Sequence, residues 1–362
     1  MGQDLFSPIT FRETTVPNRV MVSPMCMYSC ESRDGLATDW HMVHLGSRAV
    51  GGAGLVMTEA TAVSPRGRIT PDDLGIWSEE HADALRPTTE FIKSQGSVPG
   101  IQLQHAGRKG SKTRPWDGGK PLRPSEGGWP TPMPSDVPWP YDDEPPEADV
   151  LSEDDVQGIV DEFVAGAEHA LSAGFEVAEL HAAHGYLLHQ FLSPHTNRRT
   201  DAYGGSFENR IRLPVEVAEA VREVWPDDKP LFVRISATDW LDGDSWTVEQ
   251  SVKLCRELAA VGVDLIDVSA GALTPLQDLP DTGPGYQVPF AEVIREESEV
   301  PVGSVGSITG AAQADALIRN ERADLVVVGR QHLRDPYFAN HAAEELGRDE
   351  ETRWPDQYDY AI

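Results

Sequence analysis

The segment His181-Ala-Ala-His184-Gly-Tyr186 sets two imidazoles three residues apart, with a phenol two residues further on. It directly follows Phe175–Leu180, a short apolar run that predicts a strand. Two imidazole N–H groups on one turn can reach a single oxygen atom, and the tyrosine beside them is a weak acid. Such a set suits a reaction in which a carbonyl oxygen gains negative charge while a neighbouring carbon takes a proton. Each residue alone has a plain reading as helix cap or core. Three together at a strand end point to chemistry.

A cluster of this kind needs a scaffold that brings strand ends together. Periodicity predicts strands at Arg19–Ser23, Gly54–Thr58, Gly100–Gln104, Phe175–Leu180, Pro230–Ile235, Val263–Val268, Val300–Val305 and Ala323–Val328. Amphipathic helices lie between them, among them 39–50, 79–94, 153–173, 207–224 and 248–261. Ser152-Glu-Asp-Asp155 and Thr247-Val-Glu-Gln250 form capping-box patterns, and Gly174 and Gly262 stand at C-terminal cap positions. Eight strand–helix units predict an α/β fold, a (β/α)8 TIM barrel spanning residues 1–362 as one unit. A Rossmann fold is rejected because Gly51-Gly-Ala-Gly54 precedes a strand, whereas the phosphate-binding turn should follow one. The residues before 19 are expected to plug the barrel bottom. The Pro- and Trp-rich stretch at about 112–149 is expected to form a lid or pocket wall.

Active sites of such barrels gather at the C-terminal strand ends. Those ends carry Ser23 to Cys26, Glu59 and Ala60, Gln102 with His105, the His181/His184 pair, Arg234, Ser269, Gly306 with Ser307, and Gly329 with Arg330. Glycines in the last two turns let backbone amides approach a phosphate, which Arg330 can clamp. Crowding relief at the turns is the plain alternative for those glycines. Arg234 sets a permanent cation at the barrel mouth, as counterion to a ligand that becomes anionic or as partner of a neighbour such as Glu179.

The chain has 59 acidic against 30 basic side chains, a net charge of −29, and only six of the basic residues are lysine. Charge spread along the chain in this way suits high salt, where self-repulsion is screened, and argues against nucleic-acid binding. Three cysteines, Cys26, Cys30 and Cys255, cannot make a disulfide framework, and Cys26/Cys30 lack companions for a metal site. No basic-then-apolar leader and no membrane-length apolar run is present. The expected location is the cytoplasm of a high-salt-adapted organism.

Five motifs together resemble the old yellow enzyme family of FMN-dependent ene-reductases, in particular its bacterial xenobiotic-reductase subgroup. They are Ser23-Pro-Met-Cys-Met-Tyr28, Ile101-Gln-Leu-Gln-His-Ala-Gly-Arg-Lys109, the His181–Tyr186 segment, Arg199-Thr-Asp-Ala-Tyr-Gly-Gly-Ser206 with Glu208-Asn-Arg210, and Gly329-Arg330. The resemblance covers roughly residues 4 to 345. It implies FMN without a covalent bond, with NADPH or NADH as hydride donor and a small activated alkene as substrate. Ser23, Pro24, Met25, Ala60 and Gln102 would meet the flavin ring, Arg234 its N1 edge, and Gly306, Ser307, Gly329 and Arg330 its phosphate. Cys26 would tune the flavin, Tyr28 would contact the substrate, His181 and His184 would hold its carbonyl oxygen, and Tyr186 would protonate it.

The resemblance also implies a homodimer or homotetramer. Some of the subgroup place a C-terminal arginine in a neighbour's active site, whereas here Tyr360 takes the matching place. Trp354, Tyr358 or Tyr360, in the tail from about 347, either line a partner's pocket or belong to a frayed end. Three rival readings stand beside this one. One is a metal-dependent barrel hydrolase using His181, His184, His189 or His195 with Asp201. Another is a non-catalytic flavin carrier. The third is a flavin barrel acting on a nitro compound or a dienoyl thioester.

Overall fold

The computed structural model describes residues 2–361. Eight parallel strands close into a barrel: β1 (Val20–Val22), β2 (Leu55–Ala62), β3 (Val98–Gln104), β4 (Val177–Ala182), β5 (Leu231–Ser236), β6 (Leu265–Ser269), β7 (Val302–Ser304) and β8 (Leu325–Val328). Each pairs with the next in sequence and β8 pairs back to β1. A helix follows every strand: α1 (Asp39–Val50), α2 (Glu79–Ser94), α3 (Glu153–Ser172), α4 (Phe207–Val224), α5 (Val248–Ala260), α6 (Val288–Ser298), α7 (Ala311–Arg319) and α8 (Phe338–Glu345). The strands read as near-continuous apolar runs, Leu325-Val-Val-Val328 among them, because helices cover one face and the barrel interior the other.

Inward side chains recur every second residue, so the interior is layered. At the bottom Met21, Leu55, Val98, Val177, Phe232, Leu265 and Leu325 form an apolar plug. The hairpin Ile9–Phe11/Thr14–Val16 closes it from below, with the Phe11 ring edge-on to Phe232 at 5.2 Å. Two residues further along, Glu179, Arg234 and Asp267 are buried, with Gln102 opposite Glu179 in the ladder. One step higher come His181, Ser236 and Ser269. The expected N-terminal plug is therefore present.

The predicted caps form. Ser152 Oγ accepts the Asp155 N–H at 3.2 Å, Thr247 Oγ accepts that of Gln250 at 3.4 Å, and Gly174 and Gly262 take φ of +89° and +96°. Two strand C-terminal ends differ from expectation by more than one residue. β2 continues past Thr58 to Ala62 through a register shift between Met57 and Ala60. Its polar run looks like an ending, yet the Thr58 and Thr61 hydroxyls bond each other and the Glu59 carbonyl inside the bulge. β4 reaches Ala182, so His181 lies in the strand and only His184 on the turn after it.

Residues 112–149 hold tight turns at Pro115–Asp117 and Pro124–Glu126 and a small parallel pair, Thr131–Met133 with Ala148–Val150. The tail folds back on its own chain. Arg353 N–H donates to Asn340 Oδ1 at 2.8 Å, Trp354 Nε1 donates to Glu344 at 2.9 Å, and the Trp354 ring lies 5.4 Å from Tyr337. Among the described residues no helix is long and apolar enough to cross a membrane.

Candidate active site

His181 is the penultimate residue of β4 and points inward, 3 % exposed. The chain then turns through His184 at φ +56° and Gly185 at φ +72°. A Cβ on Gly185 would lie 2.6 Å from the Ala272 carbonyl oxygen, so this turn requires glycine. The His184 N–H donates to Ser236 Oγ at 2.9 Å, which fixes the backbone independently of the ring. His181 Nε2 and His184 Nδ1 then stand 3.3 Å apart, while His184 Nε2 lies 2.7 Å from Ser269 Oγ. The Tyr186 ring is 5.1 Å from that of His181. Burial, and next the Arg234 cation, hold both imidazole pKa values well below the ordinary range. Both rings are neutral at pH 7, each with one N–H to offer.

Lys109, from the turn after β3, crosses this group. Its ammonium donates to the carbonyls of His184 at 2.7 Å and Ala272 at 2.9 Å. It sits between two rings, 5.1 Å from the Tyr186 centroid and 4.5 Å from that of Trp139. Arg108 donates to Val137 O at 2.9 Å and Leu273 O at 2.7 Å. Two neighbouring cations thus tie the 112–149 segment to the histidine turn and the loop after β6. Tyr141 of the same segment buries a hydroxyl that has no hydrogen-bond partner.

Beneath the histidines, Arg234 Nε lies 3.2 Å from Asp267 Oδ2, and its Nη1 donates to Ser23 Oγ at 3.2 Å. Glu179, the neighbour named from sequence as the alternative partner of Arg234, instead accepts from Gln102 Nε2 at 2.7 Å. β5 and β6 pair in register at Arg234 and Asp267, which sets cation against carboxylate directly across the ladder. Burial, then the Asp267 charge, pushes the Glu179 carboxyl pKa upward, and burial raises that of Asp267.

The turn after β1 carries Ser23, Pro24, Met25, Cys26 and Tyr28. Its Met27 N–H donates to Glu59 Oε2 at 2.8 Å, and Glu59 Oε1 lies 3.3 Å from His41 Nε2. Tyr28 takes φ +51°, a left-handed conformation that costs a non-glycine residue about 1–3 kcal/mol, and its ring meets Trp116 edge-on at 5.7 Å. Cys26 is half-buried. Burial, followed by Glu59 and Asp73, raises its thiol pKa, so Cys26 stays protonated. Ala60 faces Gln102 in the β2–β3 ladder.

A cavity of 390 Å³ opens beside this group, lined by Met25, Arg234, Ser269, Gln287, Gly306, Ser307, Gly329 and Arg330 among others. That volume lies within the range of about 300–1,000 Å³ usual for small-molecule sites. Gly306 has φ +129°, and a Cβ there would approach Gln287 to 3.1 Å. Arg330 Nη2 donates to Ser307 Oγ at 3.3 Å.

Some sequence-derived candidates fall elsewhere. His105 is buried pointing outward from the barrel, where its Nδ1 accepts the Gly107 N–H at 3.1 Å and its Nε2 lies 3.9 Å from Glu162 of α3. The alternation that sends Gln102 and Gln104 inward sends His105 the other way. His189 and Asp201, offered as candidates in the hydrolase reading, are separately engaged, with Asp239 at 2.9 Å and with Arg199. Five contributors were not singled out from sequence: Lys109, Trp139, Tyr141, Asp267 and Gln287. Lys109 lay in plain view within a motif, and the others needed the register.

The family model described as NADH:flavin oxidoreductase / NADH oxidase matches residues 4–349. The chain is 47% identical over 347 residues to the NADPH dehydrogenase of Geobacillus thermodenitrificans, covering 96% of each. Among solved structures it superposes on morphinone reductase with a TM-score of 0.79 at 28% identity, over 96% of this chain and 90% of that one. It also superposes on the old yellow enzyme homologue of Zymomonas mobilis with a TM-score of 0.78 at 27% identity, over 95% and 93%. A barrel with a small-molecule cavity at its mouth, matched almost end to end by these proteins, is an FMN-dependent oxidoreductase using a nicotinamide hydride donor, and the chain belongs to the NADH:flavin oxidoreductase / NADH oxidase family.

Proposed function

We propose that the chain reduces the C=C bond of α,β-unsaturated carbonyl compounds at the expense of NADPH or NADH. The observation that carries this reading is the pair of neutral imidazoles whose facing nitrogens lie 3.3 Å apart. An oxygen about 2.9 Å from each would accept from both at once.

The residues present fit FMN. Arg330 and the glycine turns at 306 and 329 offer a cation and backbone N–H groups to a phosphate. Arg234, balanced by Asp267, offers its remaining N–H groups to a ring that becomes negative on reduction. Ser23, Pro24, Met25, Ala60 and Gln102 would hold that ring, and Gly306, Ser307, Gly329 and Arg330 the phosphate. When bound, FMN supplies the hydride that the alkene receives.

The chain's own side chains do the remainder. His181 and His184 would bind the substrate's carbonyl oxygen and stabilise it as it becomes enolate-like, a contribution of about 3–4 kcal/mol for a well-placed donor. Burial raises the Tyr186 pKa well above that of an ordinary phenol, which keeps it protonated and able to deliver its proton to the α-carbon. Cys26 and Tyr28 would form the wall opposite. Residues 112–149 supply the outer wall through Trp116, Trp139 and Tyr141.

Residues 1–362 are read as one barrel, cytoplasmic and suited to high salt on the strength of its −29 charge. A homodimer or homotetramer is proposed, in which Tyr360, 93 % exposed, is the tail residue best placed to meet a partner, while Tyr358, 41 % exposed, already packs 6.5 Å from the Trp354 ring. Trp354 is already engaged on its own α8.

The test is an anaerobic visible spectrum in high salt, titrated with NADPH and then cyclohexenone. Bleaching of the flavin band followed by its return on adding the enone is expected. A band that bleaches without returning would keep the flavin reductase and overturn the ene-reductase reading.

A further inference from the structure

Ser269 closes β6 and is 3 % exposed. Its hydroxyl lies 2.7 Å from His184 Nε2 and 3.1 Å from Oε1 of Gln287, itself 4 % exposed. A neutral imidazole carries one N–H and a hydroxyl has one proton to give, so the protons along the chain His181–His184–Ser269–Gln287 can be counted within the protein. For the two histidines to share one substrate oxygen, His181 Nε2 and His184 Nδ1 must both be N–H donors. His184 Nε2 is then a lone pair and needs a donor at 2.7 Å, a role Ser269 is placed to fill. Its proton spent there, Ser269 has none for Gln287, which must turn its NH2 group toward the serine.

The reverse inventory is equally complete. If Gln287 presents its carbonyl oxygen, Ser269 donates to it and accepts from His184 Nε2–H. His184 Nδ1 then becomes an acceptor, and His181 Nε2–H donates to it across 3.3 Å. The pair closes on itself and only one donor is left to share with a ligand. In both inventories His181 Nδ1 is a bare lone pair, which matches its burial without a partner. The two differ by a half-turn of one amide, in which O and N exchange places.

We infer that Ser269 is a positioning residue which, with Gln287, sets the tautomer of His184 and so decides whether the histidine pair is open to a carbonyl oxygen or closed on itself. This rests on the carbonyl-binding role proposed above. Ring position is separately secured, because the His184 N–H is held by Ser236 Oγ, which in turn donates to Gly271 O at 2.9 Å. Loss of the Ser269 hydroxyl should therefore change proton placement without moving the turn.

The experiment is ¹⁵N-histidine NMR on the oxidised, FMN-loaded protein with cyclohexenone as probe, alongside steady-state kinetics. In wild type, His184 Nδ1 is expected to carry the proton when the enone is bound. In Ser269→Ala that preference should be lost and the enone KM should rise by about tenfold, the worth of one donor, with kcat changing less. Ser269→Thr, which restores a hydroxyl, should restore both. Gln287→Glu offers acceptors alone, so it should drive His184 to the Nε2–H form even if the alanine variant folds poorly. His184 remaining Nδ1-protonated in both Ser269→Ala and Gln287→Glu would overturn the inference. Failure of the carbonyl-binding reading would show itself differently, as undiminished enone reduction in His181→Ala/His184→Ala.

Discussion

Lys109→Met is the perturbation that most directly tests whether Tyr186 gives up a proton, as proposed. Once it does, a tyrosinate is left in a half-buried pocket, and the cation facing its ring is the Lys109 ammonium at 5.1 Å. Two unit charges at that separation attract by about 3 kcal/mol at an effective dielectric of 20, and by about half that where one side is wet. Removing the cation should slow enone-driven return of the flavin band by between about 15-fold and 200-fold. NADPH-driven bleaching needs no proton from Tyr186 and should slow far less. Lys109→Arg, which keeps a cation and donors for His184 O and Ala272 O, should recover most of the loss.

The pH dependence gives a second reading of the same charge. Burial, then Lys112 and Arg108, lowers the Lys109 pKa well below that of an ordinary lysine. The ammonium is present on the acid side of that pKa and lost as pH rises through it, so the return step should weaken on the alkaline side. The arginine variant should keep its rate to higher pH, and the methionine variant should lose the limb altogether. Anaerobic stopped-flow with cyclohexenone, in H2O and D2O, measures both. A methionine variant within twofold of wild type, with its alkaline limb intact, would refute the electrostatic role.

Replacing His181 and His184 together by alanine should lower the single-turnover enone rate by at least about 10³-fold, since each donor is worth about 10²–10³. Flavin content, read from the visible band, should be retained. His105 is 1 % exposed, and burial, then Arg66, lowers its pKa to about 3. The unfolded chain protonates this group below about pH 6.5 while the fold keeps it neutral, so stability is lost as pH falls from there, by about 2 kcal/mol at pH 5. His105→Asn should be less stable at pH 7.5, and the gap in urea midpoint should narrow at pH 5; an unchanged gap would contradict this. At −29, the melting temperature should climb between 0.1 and 1 M NaCl, as the Debye length shrinks from about 10 to 3 Å. A flat profile would remove the high-salt reading.

The barrel was legible because its signals are local and repeated. Each strand is a short β-branched run, each helix carries its period, and caps such as Ser152 and Thr247 are written into adjacent residues. What depended on register was not legible. Arg234 had two acidic candidates on neighbouring strands, and nothing in the string says that β5 and β6 pair Arg234 with Asp267 while Gln102 takes Glu179. His105 shows the same limit. A one-residue offset from Gln104 sends it to the helical layer, although its type and neighbours resemble those of a site residue. Residues 112–149 gave composition and no contacts, so Trp139 and Tyr141 emerge only once Arg108 and Lys109 are seen holding that segment down.

The polar middle of the barrel is the costliest part of the molecule and shows what the fold is arranged to do. Barrel interiors are ordinarily filled by bulky apolar side chains, as the layer around Phe232 is here. Directly above, Arg234, Asp267 and Glu179 are buried together, and an ion taken from water costs several kcal/mol even when paired. Two carboxylates against one guanidinium would leave a net negative charge under a cofactor that itself becomes negative on reduction. The upward shift of the Glu179 pKa removes that conflict, because a protonated Glu179 leaves Arg234 and Asp267 as a balanced pair. Arg234 could then keep N–H groups for the flavin ring proposed to lie above it, without a full uncompensated charge in the core. The same neutrality extends upward, since Arg234 is the charge that most depresses both imidazole pKa values after burial. From mid-barrel to mouth, protons are placed so that His181 and His184 are neutral, the state in which the proposed carbonyl binding needs them.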